Sequence, residues 1–187
     1  MKIGFMGSQG TGKTSVANAL EKDKDVKARD WRFVPSTARV ALSAGHAVNK
    51  DAQPLDQILT TLSRIVAEYY KSSDAHSTFS DRTPLDSLAY TAYQMNNMWK
   101  NNEATKFYWD ISCGIVLKHM KEYDKLFYFP VYWDPEDDGV RDPDVDYQKQ
   151  IEYLLHSFIE AYDIPVVTMR NESVEARVQF IKESIFN

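Results

Sequence analysis

Residues 7–14, Gly7-Ser8-Gln9-Gly10-Thr11-Gly12-Lys13-Thr14, constrain this chain more than any other stretch. They fit G-x-x-x-x-G-K-[ST] at every fixed position, and the flanking residues agree with the pattern. Ahead of them, Lys2-Ile3-Gly4-Phe5-Met6 reads as a short buried strand. Behind them, Ser15 to Leu20 reads as a helix with Val16, Ala19 and Leu20 on one face. The glycines allow the main chain to curl with its N–H groups inward, an anion-binding nest at a helix N-terminus. In such a nest Lys13 reaches the β- and γ-phosphates of a nucleoside triphosphate and the Thr14 hydroxyl holds Mg²⁺. Gly7, Ser8, Gln9, Gly10, Thr11, Gly12 and Ser15 complete the expected cradle. The competing reading is a glycine turn without a ligand, but strand, loop and helix stand here in the order that triphosphate binding needs.

Strand-like and helix-like segments alternate along the remainder. Trp31 to Val34, the stretch around Ser77 to Ser80, Lys125 to Phe129, and Pro165 to Thr168 read as further strands. The third is weakly hydrophobic and leans on the Asp81-Arg82 that follows. Between them fall helical segments: about Ser36 to Ala44 with Gly45 as its stop, Pro84 to Met98, Thr105 to Tyr123, Tyr147 to Tyr162, and Ser173 to Ile185. Pro54 to Tyr70 is strongly amphipathic, with Leu55, Ile58, Leu59, Leu62, Ile65, Val66 and Tyr69 at helical spacing. Lys22-Asp23-Lys24-Asp25 reads as a helix end running into a loop. This alternation predicts an α/β fold with a parallel sheet covered on both faces. At 187 residues the expectation is one domain over 1–187. Ligands of such sheets sit at the carboxyl ends of the strands, so the residues just after each strand are the ones to interrogate.

Charge narrows the partners. A net charge of −5 is unlike a general nucleic-acid binder, whose affinity comes mostly from neutralising phosphates. The single Cys113, in an apolar stretch, excludes an intramolecular disulfide framework and suits a reducing cytoplasm. Neither a signal peptide nor an apolar run of membrane-spanning length is present, and residue 1 leads straight into the first strand. A cytoplasmic protein with no membrane partner is expected, and a homodimer stays open.

After the third strand come Asp81-Arg82-Thr83-Pro84-Leu85-Asp86. An Asp here can order the metal's water shell or take a proton from an attacking hydroxyl, which makes Asp81 a candidate for both metal and catalytic roles. It can equally cap the helix that starts at Pro84. Arg82 can hold a polar or anionic acceptor through its planar fork, and Asp86 reads as structural or as a partner of Arg82. Arg39, after the second strand, is a second candidate for the acceptor, or simply an exposed helical arginine. Residues 134–146 are rich in Asp, Pro and Gly and read as an exposed lid loop. Closing, the lid would bring Arg141 to the transferring phosphoryl group; otherwise Arg141 only balances the acids around it. Arg170, with Asn171, follows the fifth strand where an adenine ring could rest. The four histidines show no metal-ligand spacing.

With these motifs collected, the chain resembles the P-loop nucleoside and nucleotide kinases. The likeness is to the AAA-like kinase domain found in ribosylnicotinamide kinases and many small phage-encoded proteins. It rests on residues 7–14, Ser36-Thr37-Ala38-Arg39, Asp81-Arg82-Thr83-Pro84-Leu85-Asp86-Ser87-Leu88-Ala89-Tyr90 and Asp138-Gly139-Val140-Arg141. It implies a P-loop NTPase fold, a three-layer α/β/α arrangement with a five-stranded parallel sheet, a lid carrying Arg141, and ATP with Mg²⁺. Relatives often carry Glu at the end of the second strand, where this chain has Ser36. Asp81 must then take the base's role, or the acceptor needs no strong base.

Three activities are compatible with these residues. One is an ATP-dependent kinase acting on a nucleoside, a nucleotide or a similar small acceptor, with Lys13, Asp81 and Arg141 as the catalytic set. Another keeps the chemistry but acts on a polynucleotide, for example a 5′ end or a hydroxymethylated base in DNA such as 5-hydroxymethyluracil, presented outside the duplex. The last is a regulatory ATPase switch without an acceptor, for which Arg82 and Arg39 on the acceptor side would have no use.

Overall fold

The computed structural model describes residues 1–72, 76–98, 103–135 and 143–186, with the side chains of Arg39 and Asn49 outside the description. Among the described residues five strands form one sheet: β1 (Lys2–Met6), β2 (Arg32–Val34), β3 (Thr78–Asp81), β4 (Lys125–Tyr128) and β5 (Val167–Thr168). Their order is β2-β3-β1-β4-β5 and every pairing is parallel. The expected α/β class and five-stranded parallel sheet are therefore what the chain adopts.

The helices are α1 (Lys13–Lys22), α2 (Lys24–Ala28), α3 (Ala38–Ser43), α4 (Pro54–Ser72), α5 (Pro84–Asn97), α6 (Glu103–Met120), α7 (Val145–Ala161) and α8 (Val174–Phe186). Strand pleating sorts β1 between two cores. Ile3 and Phe5 join Phe79, Phe127 and Phe129 against Val16, Leu20 and Ile181 of α1 and α8. Met6 turns to the other face, with Leu126 and Tyr128 against α5, α6 and α7. Among the described residues no helix is long and apolar enough to cross a membrane.

One expectation is corrected. The charged stretch at 22–25 ends α1 and starts a second helix, α2, because Asp23 caps it by accepting from the N–H groups of Asp25 and Val26. α4 is oriented unusually. An amphipathic stripe ordinarily faces the core, yet α4 buries its polar stripe, Gln57, Thr61, Arg64 and Glu68. Leu55, Leu62, Val66 and Tyr69 are exposed instead. The charged members of this stripe find partners in the fold: Arg64 binds main-chain carbonyls, while Glu68 accepts from Tyr123 and meets His119 and Lys2. Satisfied polar groups can be buried without a large penalty, and that releases the apolar face.

α5 is the central helix, buried on every side from Pro84 to Gln94. Its start is fixed by Pro84 in the first turn and by a capping box in which Thr83 and Asp86 bond reciprocally. This anchors the end of β3 beside the end of β1.

Candidate functional site

The loop after β1 has the curled form its glycines predict. Gly7 has φ +148, and a Cβ there would lie 2.4 Å from the Phe129 carbonyl oxygen at the end of β4. Gly12 caps α1 in the left-handed region, φ +87. The Lys13 ammonium, 4 % exposed, donates to the Ser8 carbonyl at 2.5 Å and to Thr11 Oγ1 at 2.8 Å. Gly7 has its own N–H committed to Asp86 Oδ1 at 3.0 Å, so its part in the loop is the turn and the tie to α5.

Two residues for which the sequence motifs offer no role brace the loop from outside. Gln148 of α7 donates to the Gln9 carbonyl at 2.7 Å, and Arg177 of α8 donates to the Thr11 carbonyl at 3.2 Å. A trans peptide points its C=O and the next N–H in opposite directions. Holding these carbonyls toward α7 and α8 therefore turns the N–H groups of Gly10 and Gly12 away from both helices. Arg177 also donates through Nε to the Arg170 carbonyl at 3.0 Å and lies over the Trp133 ring at 4.9 Å. A polar residue on the apolar face of α7, next to Tyr147 and Ile151, was the one available sign of Gln148.

β1 and β3 are neighbours with Phe5 opposite Asp81, and this register carries the Asp81 carboxylate to the start of α1. Asp81 Oδ2 accepts from the Thr14 hydroxyl at 2.7 Å. The capping of α5 is done by Thr83 and Asp86, which leaves Asp81 for the loop. Among the described residues Asp81 Oδ1 is buried without a hydrogen-bond partner, and so are Ser8 Oγ, Gln9 Nε2, Arg64 Nε and Arg177 Nη2. Such a concentration of unpaired buried polar atoms marks a place built to meet a polar ligand.

On the other side of Asp81 a cleft is lined by Gln57, Arg64, Arg82, Asp86, Ser87 and Tyr90. Arg82 adopts φ +84, rare for a residue with a side chain. Its guanidinium donates to the Tyr90 hydroxyl at 3.2 Å and lies 3.8 Å from Asp86. Burial alone would weaken its charge, but Tyr90, Asp86 and Asp81 outweigh that and hold its pKa above the ordinary value. Burial raises the pKa of the Tyr90 hydroxyl, which stays protonated and donates on to Gln9 Oε1 at 3.0 Å. The cleft is thereby linked to the phosphate loop.

A further hollow beside the loop is lined by Gly10, Gly12, Ser15, Trp133, Glu172 and Arg177. Arg170, the candidate for the adenine, is exposed and does not line this hollow. Arg141 and the Asp138-Gly139-Val140 before it fall outside the described residues, as does the Arg39 side chain. Among the described residues no group of three His, Cys, Asp or Glu gathers to hold a metal. Thr14 and Asp81 nonetheless fit Mg²⁺, which takes one or two protein oxygens and completes its shell with phosphate oxygens and water. Burial, then Asp110, push the Cys113 thiol up to about 11, which disfavours the thiolate.

A family model described as an AAA domain matches residues 2–177. No curated protein matches the chain. Among solved structures, deoxyadenosine kinase from M. mycoides with the products dCMP and a flexible dCDP is similar over 100% of this chain and 99% of that one, with TM-score 0.73 and 15% identity. The same kinase with bound dATP has TM-score 0.66 and 14% identity, each chain being covered in full. At this identity the likeness is one of fold.

Proposed function

The chain belongs to the AAA domain family, and from that premise we propose that it is an ATP-dependent kinase acting on a nucleoside- or nucleotide-type acceptor. The observation that carries the reading is the position of Asp81. Its carboxylate is 2.7 Å from the Thr14 hydroxyl of the phosphate loop, and the adjoining main chain runs directly into Arg82 of the neighbouring cleft. A donor's γ-phosphate and an acceptor's hydroxyl would meet at that carboxylate.

In this scheme the acceptor oxygen bonds to the γ-phosphorus while the bond to the β–γ bridging oxygen breaks, releasing ADP. The acceptor's proton passes to Asp81. Lys13 offsets charge on the phosphates, and Arg82, with Gln57 beside it, orients the acceptor. Little covalent work falls to the protein; positioning and charge stabilisation supply most of the rate. Thr14 and Asp81 would hold Mg²⁺, which when bound neutralises phosphate charge. Arg141 stays the candidate for the transferring group from the lid. The fold is shared with a kinase whose structures contain dCMP, dCDP and dATP, so deoxynucleosides and their monophosphates are the first acceptors to try.

The test is a panel of nucleosides and nucleoside monophosphates incubated with the protein, Mg²⁺ and γ-labelled ATP. The expected result is label transfer to one acceptor class, with ADP formation dependent on it. ADP formation indifferent to every acceptor would overturn the proposal.

A further inference from the structure

We propose that the Gln9 side chain donates a hydrogen bond to the terminal phosphate of the bound nucleotide, and that Tyr90 is the positioning residue that sets the Gln9 amide for it. The inference rests on the kinase reading. It adds to the main-chain cradle a side-chain donor that stands between the two substrates.

Two hydrogen bonds give the network its direction. A guanidinium can only donate, and Arg82 Nη1 donates to the Tyr90 hydroxyl oxygen at 3.2 Å. The single Tyr90 proton then goes to Gln9, 3.0 Å away, where only the carbonyl end of the amide, Oε1, can receive it. Burial raises the Tyr90 pKa and so keeps that proton in place. A hydroxyl that accepts from a cation is polarised by it and donates more strongly in turn. The amide is thereby held one way round: Oε1 is taken by Tyr90, and Nε2 has two N–H groups to place.

Gln9 is 1% exposed, and among the described residues its Nε2 has no hydrogen-bond partner. A buried donor left unpaired is destabilising, and one that persists calls for a ligand. The position says which. Tyr90 lines the acceptor cleft, whereas Gln9 belongs to the loop that cradles the donor's phosphates. The amide therefore stands on the border between the two, and the group that crosses this border is the γ-phosphoryl. Its oxygens accept hydrogen bonds, and a donor fixed beforehand where charge shifts during transfer favours the transition state. The loop main chain does not depend on Tyr90 for its place, because Asp86 holds the Gly7 N–H and Gln148 holds the Gln9 carbonyl.

The experiment is titration calorimetry with Mg²⁺, comparing ATP with ADP, which lacks the γ-phosphate. Gln9→Leu should weaken ATP at least about 10-fold, the loss of a hydrogen bond to a charged group, and leave ADP within about 2-fold. Tyr90→Phe should act in the same direction by a smaller factor. Gln9→Glu keeps an acceptor for the Tyr90 proton and nearly the same shape, but turns a charge toward the phosphate. It should lose at least as much as Gln9→Leu, whereas a residue that merely packed would be rescued by it. With an acceptor, kcat for Gln9→Leu should fall at least about 30-fold while the acceptor's KM changes little. ATP affinity unchanged in Gln9→Leu and Gln9→Glu overturns the proposal, even where label transfer supports the kinase reading. ADP weakened as much as ATP overturns it too, since the loop itself would then have changed. A wild type that binds ATP but labels no acceptor refutes the kinase reading, and the comparison of ATP with ADP still decides the role of Gln9.

Discussion

Arg64 Nη1 donates to the main-chain carbonyls of both Asp81 and Arg82, each at 3.0 Å. The same guanidinium donates from Nη2 to Thr37 Oγ1 at 3.2 Å, and the residue is 1% exposed. One side chain on α4 thus holds the turn in which Arg82 keeps its φ of +84. Arg64→Met would leave those carbonyls unpaired in the interior. A loss of about 3 kcal/mol in urea unfolding is expected, together with a raised KM for the acceptor because Arg82 loses its fixed backbone. Wild-type stability in that variant would show that the turn holds itself.

Lys13→Ala should abolish phosphoryl transfer and leave the fold intact. The Lys13 ammonium donates to Ser8 and Thr11, both within the loop itself. A rate loss above about 100-fold is expected from removing a charge aimed at the transferring group. Initial rates with labelled ATP, set beside a thermal melt, decide it.

Asp81→Asn tests the centre of the scheme. Both roles given to Asp81 need a carboxylate, so kcat should fall at least about 100-fold. The pH profile tells the roles apart. If Asp81 takes the acceptor's proton, the variant loses the acidic limb of kcat against pH; if it organises the metal, the Mg²⁺ concentration for half-maximal rate rises instead.

Gln148→Glu and Arg177→Met should raise KM for ATP with less change in kcat. Each removes a donor that holds a loop carbonyl outward and so aims the following N–H group. Isothermal titration with Mg²⁺ and ATP reads the effect directly. Unchanged affinity in both variants would mean the loop keeps its shape unaided.

Glu68 gives the stability a dependence on pH. Burial opposes its charge, but the His119 ring, the Lys2 ammonium and the Tyr123 hydroxyl prevail and lower its pKa from 4.5 to about 2. Because the folded value lies below the unfolded one, the stabilisation is complete above about pH 4.5 and fades as the pH falls toward 2. The shift corresponds to about 3 kcal/mol. Acid unfolding followed by circular dichroism should show this window, and Glu68→Gln should flatten it while lowering stability at neutral pH.

Motifs local in sequence are legible from the residues alone. Residues 7–14, Thr83-Pro84 with Asp86, and the alternating strands each carry their reason within a few neighbouring positions. Gln57, Arg64, Gln148 and Arg177 carry none. Each is a polar residue in a helix, which by itself reads as a solvated position, and only partners elsewhere in the fold reveal it as buried: the Arg64 acceptors lie up to 27 residues away and one acceptor of Arg177 lies 166 away. α4 shows the same limit, since its apolar stripe marks a helix and only the tertiary structure shows which stripe is buried.

By itself, then, the sequence determined the phosphate loop, the parallel α/β sheet and the Asp81-Arg82 pair at a strand end, because glycine conformation, strand alternation and helix capping are decided over short spans of chain. The tertiary structure alone decided which face of α4 is buried, which side chains brace the loop, and that Asp81 meets Thr14 rather than capping α5. Those outcomes depend on where distant donors and acceptors come to rest, and buried polar groups go wherever the fold can pair them.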